Sequence, residues 1–268
     1  MTAENLEIKC LRAGRVKVAI YGSGREAGMA AASAAAKALM ELGAAQETIG
    51  VIFATGASQL ETLQALVGIR GLPWNQVCGF HMDEYVGIAA DHPASFRRYL
   101  RERLTQNVEM KEFHEIDGSG ADPERTGREY GARLRAANPQ LCLLGIGENG
   151  HLAFNDPAVA DFNDPLDMKI VVLDPVCRQQ QVAEGWFASL DEVAQSALTL
   201  TIPVLLRVPR LIVSVPGRRK ATIVRRALEE PIGTECPATI LRTHPDVTLY
   251  LDADSASELD EERLRCAI

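Results

Sequence analysis

A short segment with one histidine carries residue types suited to proton transfer. Residues 144–157 read LGIGENGHLAFNDP, in which an apolar run stops at glycines and His151 follows. An imidazole can donate and accept a proton near neutral pH, and a carboxylate such as Asp156 would orient it and stabilise its charged form. Asn149 does not titrate, but its amide oxygen can accept the imidazole N–H. The segment is either an acid/base site or a loop in which the histidine satisfies backbone groups.

Two adjacent carboxylates follow another apolar run. Asp83 and Glu84 close the stretch VCGFHMDEY. Adjacent side chains of an extended chain point in opposite directions, so one carboxylate can face a cleft while the other faces elsewhere. A carboxylate in a partly desolvated cleft can act as a general base. The alternative is a pair of solvated acids at the end of a strand.

A small, hydroxyl-rich turn is a candidate anion site. The letters TGAS, which end at Ser58, stand between a predicted strand and a predicted helix. Free backbone N–H groups and the helix dipole attract an anion at such a junction. Alternatively, Ser58 caps the helix and Glu61 completes a capping box. The other glycine-rich turn, GSGREAG, does not match a dinucleotide fingerprint, because its spacing is GxGxxxG and no acid ends the next strand.

Basic side chains could complete an anion clamp. Lys220 follows a predicted strand and Arg178 opens a predicted helix. Together with the TGAS turn they could hold a phosphate by charge-assisted hydrogen bonds. The alternative is surface solubility, which explains Arg218 and Arg219 better than it explains Lys220.

No metal site is predicted. The five histidines show no ligand spacing such as HExxH, and the six cysteines lack the CxxC spacing. We expect reduced cysteines, most of them small core residues.

The chain alternates short apolar runs with helical patterns. Strands are predicted at residues 16–22, 51–55, 77–85, 141–147, 169–174, 210–217 and 247–252. Helices are predicted at residues 29–43, 58–68, 94–104 and about 219–228. Apolar runs without alternation suit strands buried on both faces, and strand–helix repetition indicates a mostly parallel sheet in one α/β domain. Ligands gather beyond the carboxyl ends of such strands, which is where the segments above lie.

Composition narrows the class of protein. The chain has 268 residues and a net charge of −8, and no dense Lys/Arg face indicates nucleic-acid binding. No apolar run approaches a membrane span, and the N-terminus lacks the apolar region of a signal peptide. We therefore expect a cytoplasmic location.

Five motifs in order resemble one known family. FHMDEYVGI, DHPASF, LGIGENGHLAFNDP, ALTLTIP and VPGRRKA together resemble the glucosamine-6-phosphate deaminases, whose superfamily includes the 6-phosphogluconolactonases. The similarity runs from about residue 16 to residue 252. The lactonase branch is disfavoured because its motif continues after GH with TASLFP, whereas this chain continues with an AFN motif and an acid.

The resemblance implies a Rossmann-like three-layer α/β/α fold with a mostly parallel sheet. It also implies an enzyme, assigned at this point to the hydrolase class, that converts glucosamine 6-phosphate to fructose 6-phosphate and ammonia without metal or organic cofactor. Asp83 matches the residue that moves a proton between C2 and C1, and His151 matches the residue that opens the sugar ring. The predicted catalytic set is completed by Glu84, Asn149 and Asp156. The phosphate-binding set is Thr55, Gly56, Ser58, Arg178 and Lys220.

Two positions depart from the family pattern G-x-D-G-H-x-A-F-N-E-P. Asn149 replaces an aspartate, which removes one negative charge beside His151. Asp156 replaces a glutamate and is one methylene shorter, so it must approach the ring more closely or act through water. These changes keep other interpretations open: another sugar-phosphate substrate, a lactonase-like hydrolase, or a non-catalytic sugar-phosphate sensor. We predict an N-terminal extension at residues 1–14 and one domain at residues 15–268, and leave homo-oligomerisation open.

Overall fold

The computed structural model describes residues 7–260, 262 and 264. Among them eleven strands form, namely β1 (Glu7–Ala13), β2 (Val16–Tyr21), β3 (Ile49–Phe53), β4 (Val77–His81), β5 (Asp83–Tyr85), β6 (Glu112–His114), β7 (Leu141–Leu144), β8 (Met168–Val172), β9 (Ser196–Leu200), β10 (Arg210–Val215) and β11 (Val247–Asp252). The seven α-helices of the same residues are α1 (Gly24–Ala45), α2 (Leu60–Gly68), α3 (Phe96–Leu100), α4 (Pro123–Ala137), α5 (Pro175–Ala183), α6 (Ile202–Leu206) and α7 (Ala221–Glu229).

Eight strands form the main sheet in the order β1-β2-β11-β10-β7-β3-β4-β6. Every neighbouring pair is parallel except β1 with β2. Alternate residues of the strands bury their side chains on opposite faces, where α1, α2 and α3 pack on one face and α4, α6 and α7 on the other. This arrangement confirms the predicted three-layer α/β/α fold.

A second sheet was not expected. It is antiparallel and has the order β5-β9-β8. The prediction of one strand over residues 77–85 is wrong, because the chain leaves the main sheet at Met82, whose carbonyl accepts a hydrogen bond from the Leu200 N–H at 2.8 Å. Asp83 therefore lies on the small sheet, opposite Thr199.

Local signals explain most helix boundaries. Ser23 caps α1 through its side chain, and Asp122 caps α4, which ends at Asn138 in the left-handed region. Ser58 does not cap a helix: a 3-10 turn, Ala57–Gln59, precedes α2, and neither segment has a side-chain cap.

The ends of the chain differ from the predicted boundary. Glu7–Ala13, assigned to an N-terminal extension, pairs with β2 at the edge of the main sheet, while residues 1–6 lie outside the described residues. Among the described cysteines, Cys78, Cys142, Cys177 and Cys236 are buried free thiols and Cys10 is exposed; Cys266 lies outside the described residues. No helix in the described part of the chain is both long enough and apolar enough to cross a membrane.

Candidate active site

A cavity of about 270 Å³ opens beyond the carboxyl ends of the central strands. Its walls come from the turns after β3, β7 and β10, from the start of β5 and from α5. Parallel strands direct their carboxyl ends to one edge of the sheet, so residues distant in sequence meet there. The lining includes six predicted site residues: Thr55, Gly56, Ser58, Asp83, His151 and Lys220.

The His151 ring is held by both Asn149 and Asp156. Its Nδ1 lies 2.8 Å from Oδ1 of Asn149 and 2.9 Å from Oδ1 of Asp156, so the shorter aspartate reaches the ring directly. Both partners accept hydrogen bonds, which places the proton of a neutral ring on Nδ1 and leaves the lone pair of Nε2 available. This tautomer lets Nε2 take a proton from a bound molecule.

Asp156 is itself fixed by several donors. Its Oδ1 accepts from Nδ2 of Asn149 at 2.9 Å, and its Oδ2 accepts from the Asp174 N–H at 3.1 Å. Burial acts to raise the pKa of Asp156, but the His151 contact and these hydrogen bonds outweigh burial and lower it. Asp156 therefore stays ionised next to the imidazole.

Glycines leave room for the histidine ring. A Cβ atom at position 147 would overlap Cε1 and Nε2 of His151. Gly150 has a φ of 89°, a conformation that side chains with a Cβ rarely adopt. Gly147 thus leaves the space that the ring needs, and Gly150 provides the backbone turn just before the histidine.

Asp83 is buried at the cavity wall, and one of its carboxyl oxygens has no hydrogen-bond partner among the described residues. Only 6% of the residue is exposed, and no described residue supplies a hydrogen-bond partner for Oδ1. Burial, and then the charge of Glu84, raise the pKa of Asp83 well above its ordinary value. A carboxyl group in this state can hold or release a proton within the working range of an enzyme.

Glu84, predicted in the catalytic set, does not line the cavity. It is fully buried and accepts five hydrogen bonds, from the backbone N–H groups of Tyr85, Phe96 and Arg97, from Oγ of Ser95 and from Nε of Arg97. Burial raises its pKa, against the effect of these donors. Glu84 therefore ties β5 to the start of α3.

The opposite wall is an anion cradle. Gly56 and Gly217 adopt φ values of 88° and 96°, and each precedes a 3-10 turn that leads into a helix. Lys220 is 8% exposed, its Nζ donates to the Ile146 carbonyl at 2.9 Å, and burial lowers its pKa. Oγ of Ser58 accepts from Nε2 of Gln59 at 3.1 Å. Turns that lead into helix N-termini and a buried cation suit a phosphate.

Arg178, predicted to contact phosphate, does not line the cavity. Its Nη2 donates to the carbonyls of Leu190 and Val193 at 2.6 and 3.0 Å. Arg218 and Arg219, which we assigned to solubility, line the cavity instead. The correction reflects the direction of long side chains, which the position of an arginine in the sequence does not specify.

Helix α5 adds lining residues that the sequence analysis missed. Oε1 of Gln180 accepts from the Glu148 N–H at 3.0 Å, and its Nε2 donates to Oε1 of Glu184 at 2.7 Å. Oε1 of Gln181 accepts from the Tyr85 hydroxyl at 2.9 Å. Only the proposed start of a helix at Arg178 pointed to this region.

One group of potential metal ligands lies at this site. His151, Asp156 and Cys177 place ligand atoms within 4.8 Å of one another. The first two already bind each other, and burial followed by neighbouring carboxylates raises the pKa of the Cys177 thiol well above its ordinary value. The Cys177 thiol therefore keeps its proton beside this pair.

A family model described as glucosamine-6-phosphate isomerases/6-phosphogluconolactonase matches residues 23–250. The chain belongs to this family. Membership confirms the resemblance seen in the motifs, and it covers nearly all of the α/β/α fold.

Relatives in this family are similar over most of their length. A glucosamine-6-phosphate deaminase of Exiguobacterium sibiricum is 36% identical over 81% of this chain and 83% of its own. A glucosamine-6-phosphate deaminase of Lactobacillus delbrueckii subsp. bulgaricus is 31% identical over 91% of this chain and 100% of its own.

Solved structures of the family share the fold. A glucosamine-6-phosphate deaminase described as monomeric superposes with a TM-score of 0.83 at 29% identity, covering 90% of this chain and 99% of that chain. The 6-phosphogluconolactonase of Trypanosoma brucei superposes with a TM-score of 0.74 at 18% identity, covering 90% and 98%. The second likeness concerns the fold alone.

The assignment to the hydrolase class is wrong. The relatives reported above at 31% and 36% identity are deaminases, and the family description names isomerases beside 6-phosphogluconolactonase, whereas the lactonase structures are only 20% identical or less. The deaminase and isomerase part of the prediction is the part that the relatives support.

Proposed function

We propose that the protein is a glucosamine-6-phosphate deaminase, which isomerises glucosamine 6-phosphate and releases fructose 6-phosphate and ammonia. The observation that carries the proposal is that His151 and buried Asp83 line the same cavity as the anion cradle with its buried cation, Lys220. The deaminase relatives support the same substrate class.

Ring opening is assigned to His151. The step moves a proton from the anomeric hydroxyl to the ring oxygen, which an imidazole can do near neutral pH. Nε2 accepts and returns this proton, while Nδ1 keeps its own proton against Asn149 and Asp156. The charge of Asp156 stabilises the imidazolium form between the two transfers.

Isomerisation is assigned to Asp83. The carboxylate takes the C2 proton of the open chain and delivers it to C1, which turns the 2-amino aldose into an imine at C2. Its raised pKa makes Asp83 a stronger base than a solvated aspartate. No described residue donates a hydrogen bond to its Oδ1, so the substrate does not have to displace one. Water then adds to C2 of the imine and ammonia leaves, so that the water oxygen becomes the C2 carbonyl of fructose 6-phosphate.

Phosphate binding is assigned to the cradle. Thr55, Gly56 and Ser58 supply one wall, and Lys220 supplies the other with the two arginines that precede it. A phosphate fixed here holds the reacting carbons in place, so binding far from C1 and C2 contributes to the rate.

The direct test is turnover. Purified protein is incubated with glucosamine 6-phosphate, and fructose 6-phosphate and ammonia are assayed separately. Equal amounts of both products support the proposal, and a rate equal to the protein-free blank contradicts it. A panel of other hexosamine and hexose phosphates tests the substrate, and 6-phosphogluconolactone serves as the control for lactonase activity.

Two further expectations remain predictions. A cytoplasmic location is tested by fractionation of cells that express the chain. Homo-oligomerisation is tested by light scattering of the purified protein.

A further inference from the structure

Another set of metal-ligand side chains lies away from the cavity, at the edge of the main sheet. Cys78 on β4 stands opposite Glu112 on the edge strand β6, and Phe80 stands opposite His114. Residues two apart on a strand share a face, so the three potential ligands project from the same side of the two strands. Parallel pairing, rather than sequence spacing, brings them together.

The ligand atoms are spaced for a tetrahedral ion. Sγ of Cys78 lies 3.9 Å from Oε2 of Glu112, and Nε2 of His114 lies 3.4 Å from the same oxygen. All three atoms lie within 4.8 Å of one another. Zinc bonds of ~2.0–2.3 Å at tetrahedral angles separate ligand atoms by roughly 3.3–3.8 Å. Small side-chain movements therefore suffice to close the site.

Two of the ligand residues are held by their neighbours, and the third is exposed to solvent. Cys78 is buried, and the His114 ring stacks on Phe80 with centroids 4.7 Å apart. The Tyr130 hydroxyl donates to the His114 carbonyl at 3.3 Å. The Glu112 side chain is 59% exposed, which leaves access for the ion and a water as fourth ligand.

We propose that Cys78, Glu112 and His114 form a binding site for one Zn²⁺ ion. Thiolate, imidazole and carboxylate are the ligand types that zinc takes in proteins. Burial and then the charge of Glu112 raise the pKa of the Cys78 thiol, so zinc binding must release the thiol proton. Lys111 is a positive charge near Cys78 that would repel the ion. Its Nζ donates to Oγ1 of Thr48 at 2.5 Å on the exposed surface.

The ion would act as a structural staple. It joins β4 to β6, and the residues after β6 contact the turn that follows β5 and helix α3: the Gly87 N–H donates to the Gly118 carbonyl at 2.6 Å, and Asp117 pairs with Arg97 at 3.0 Å. The site is separate from the cavity, so zinc is expected to raise the melting temperature and to take no part in the reaction.

The test uses the full chain after removal of metal with a chelator. Zinc is titrated against a chromogenic chelator, and Co²⁺ is added separately to detect the absorption band of a cobalt–thiolate bond. We expect one equivalent of each metal, and Zn²⁺ affinity at least about 10-fold weaker in Cys78→Ser and His114→Gln, with loss of the cobalt–thiolate band in Cys78→Ser.

Cys177→Ser is the matched control, since Cys177 is also a buried cysteine near a histidine and a carboxylate. It should keep both signals. The proposal is overturned by absence of tight Zn²⁺ binding, by unchanged affinity in the Cys78 and His114 variants, or by loss of binding in Cys177→Ser. Glu112→Gln, at an exposed side chain, repeats the affinity measurement with little risk to folding, and unchanged affinity there also counts against the site.

Discussion

The two walls of the cavity are built by different means. On the acid/base wall, His151 and Asp83 are placed by contacts of side chains, with Asn149 and Asp156 on the ring and Glu84 beside the base. On the anion wall, Gly56 and Gly217 place backbone turns whose positive φ values no other residue adopts easily. The first wall suits proton transfer and the second suits binding. Substitutions on the two walls should therefore affect different kinetic constants.

The largest effect should come from removing the base. Asp83→Asn keeps the shape but cannot take a proton, so kcat should fall by about 10²–10⁴-fold with KM changed little. Steady-state kinetics on glucosamine 6-phosphate measure both constants. A variant within 10-fold of the parent in kcat, with a normal melting temperature, would remove Asp83 from the mechanism.

A smaller loss should follow from crowding the histidine. In Gly147→Ala the new methyl group displaces the His151 ring, and misplacement of a catalytic group costs about 10²-fold in kcat. The matched control is Gly68→Ala, where a Cβ meets nothing within 4 Å. Equal activities of the two variants would show that the ring position is not critical.

The anion wall should respond in KM. Lys220→Met keeps the length of the side chain and loses its charge, so KM should rise by about 10- to 100-fold with a modest change in kcat. Arg178→Met is the comparison variant, because that guanidinium binds the Leu190 and Val193 carbonyls and does not line the cavity. A larger rise in KM for Arg178→Met than for Lys220→Met would reverse our assignment.

The smallest effect concerns stability against pH. The pKa of Asp156 is lowered in the folded state, so its ionised form stabilises the fold above the unfolded pKa of about 4, and this contribution disappears as pH falls through the lower folded pKa. The parent should therefore melt above Asp156→Asn at pH 6–8, and the difference should shrink below pH 4. Thermal melts of both proteins across this range provide the measurement, and a difference of the same size at pH 3 and pH 7 would contradict it.

The main sheet could be predicted because its strands are continuous apolar runs. Helix α4 escaped prediction because its sequence, PERTGREYGARLRAA, is mostly polar and buries only Gly127, Tyr130, Gly131 and Leu134. The small sheet escaped prediction because the switch at Met82 depends on a hydrogen bond from Leu200, more than a hundred residues away.

The site was predictable to the extent that the chain itself keeps its residues together. Asn149, His151 and Asp156 are near in sequence and meet in space. The direction of Arg178 and the pairing of Cys78 with Glu112 depend on neighbours from other segments, and neither follows from spacing.

Glu84 shows how the neighbouring Asp83 can be positioned although no described residue donates a hydrogen bond to Oδ1 of Asp83. An oxygen that must give and take protons loses reactivity if structural hydrogen bonds occupy it. Here the five donors attach to the adjacent residue, and the alternation of the strand transmits that fixed orientation to Asp83. The strand that carries Asp83, the proposed base, is thus held by Ser95 and Arg97, which do not line the cavity. Substitution of either residue would disturb both the buried contacts of Glu84 and the strand that carries Asp83.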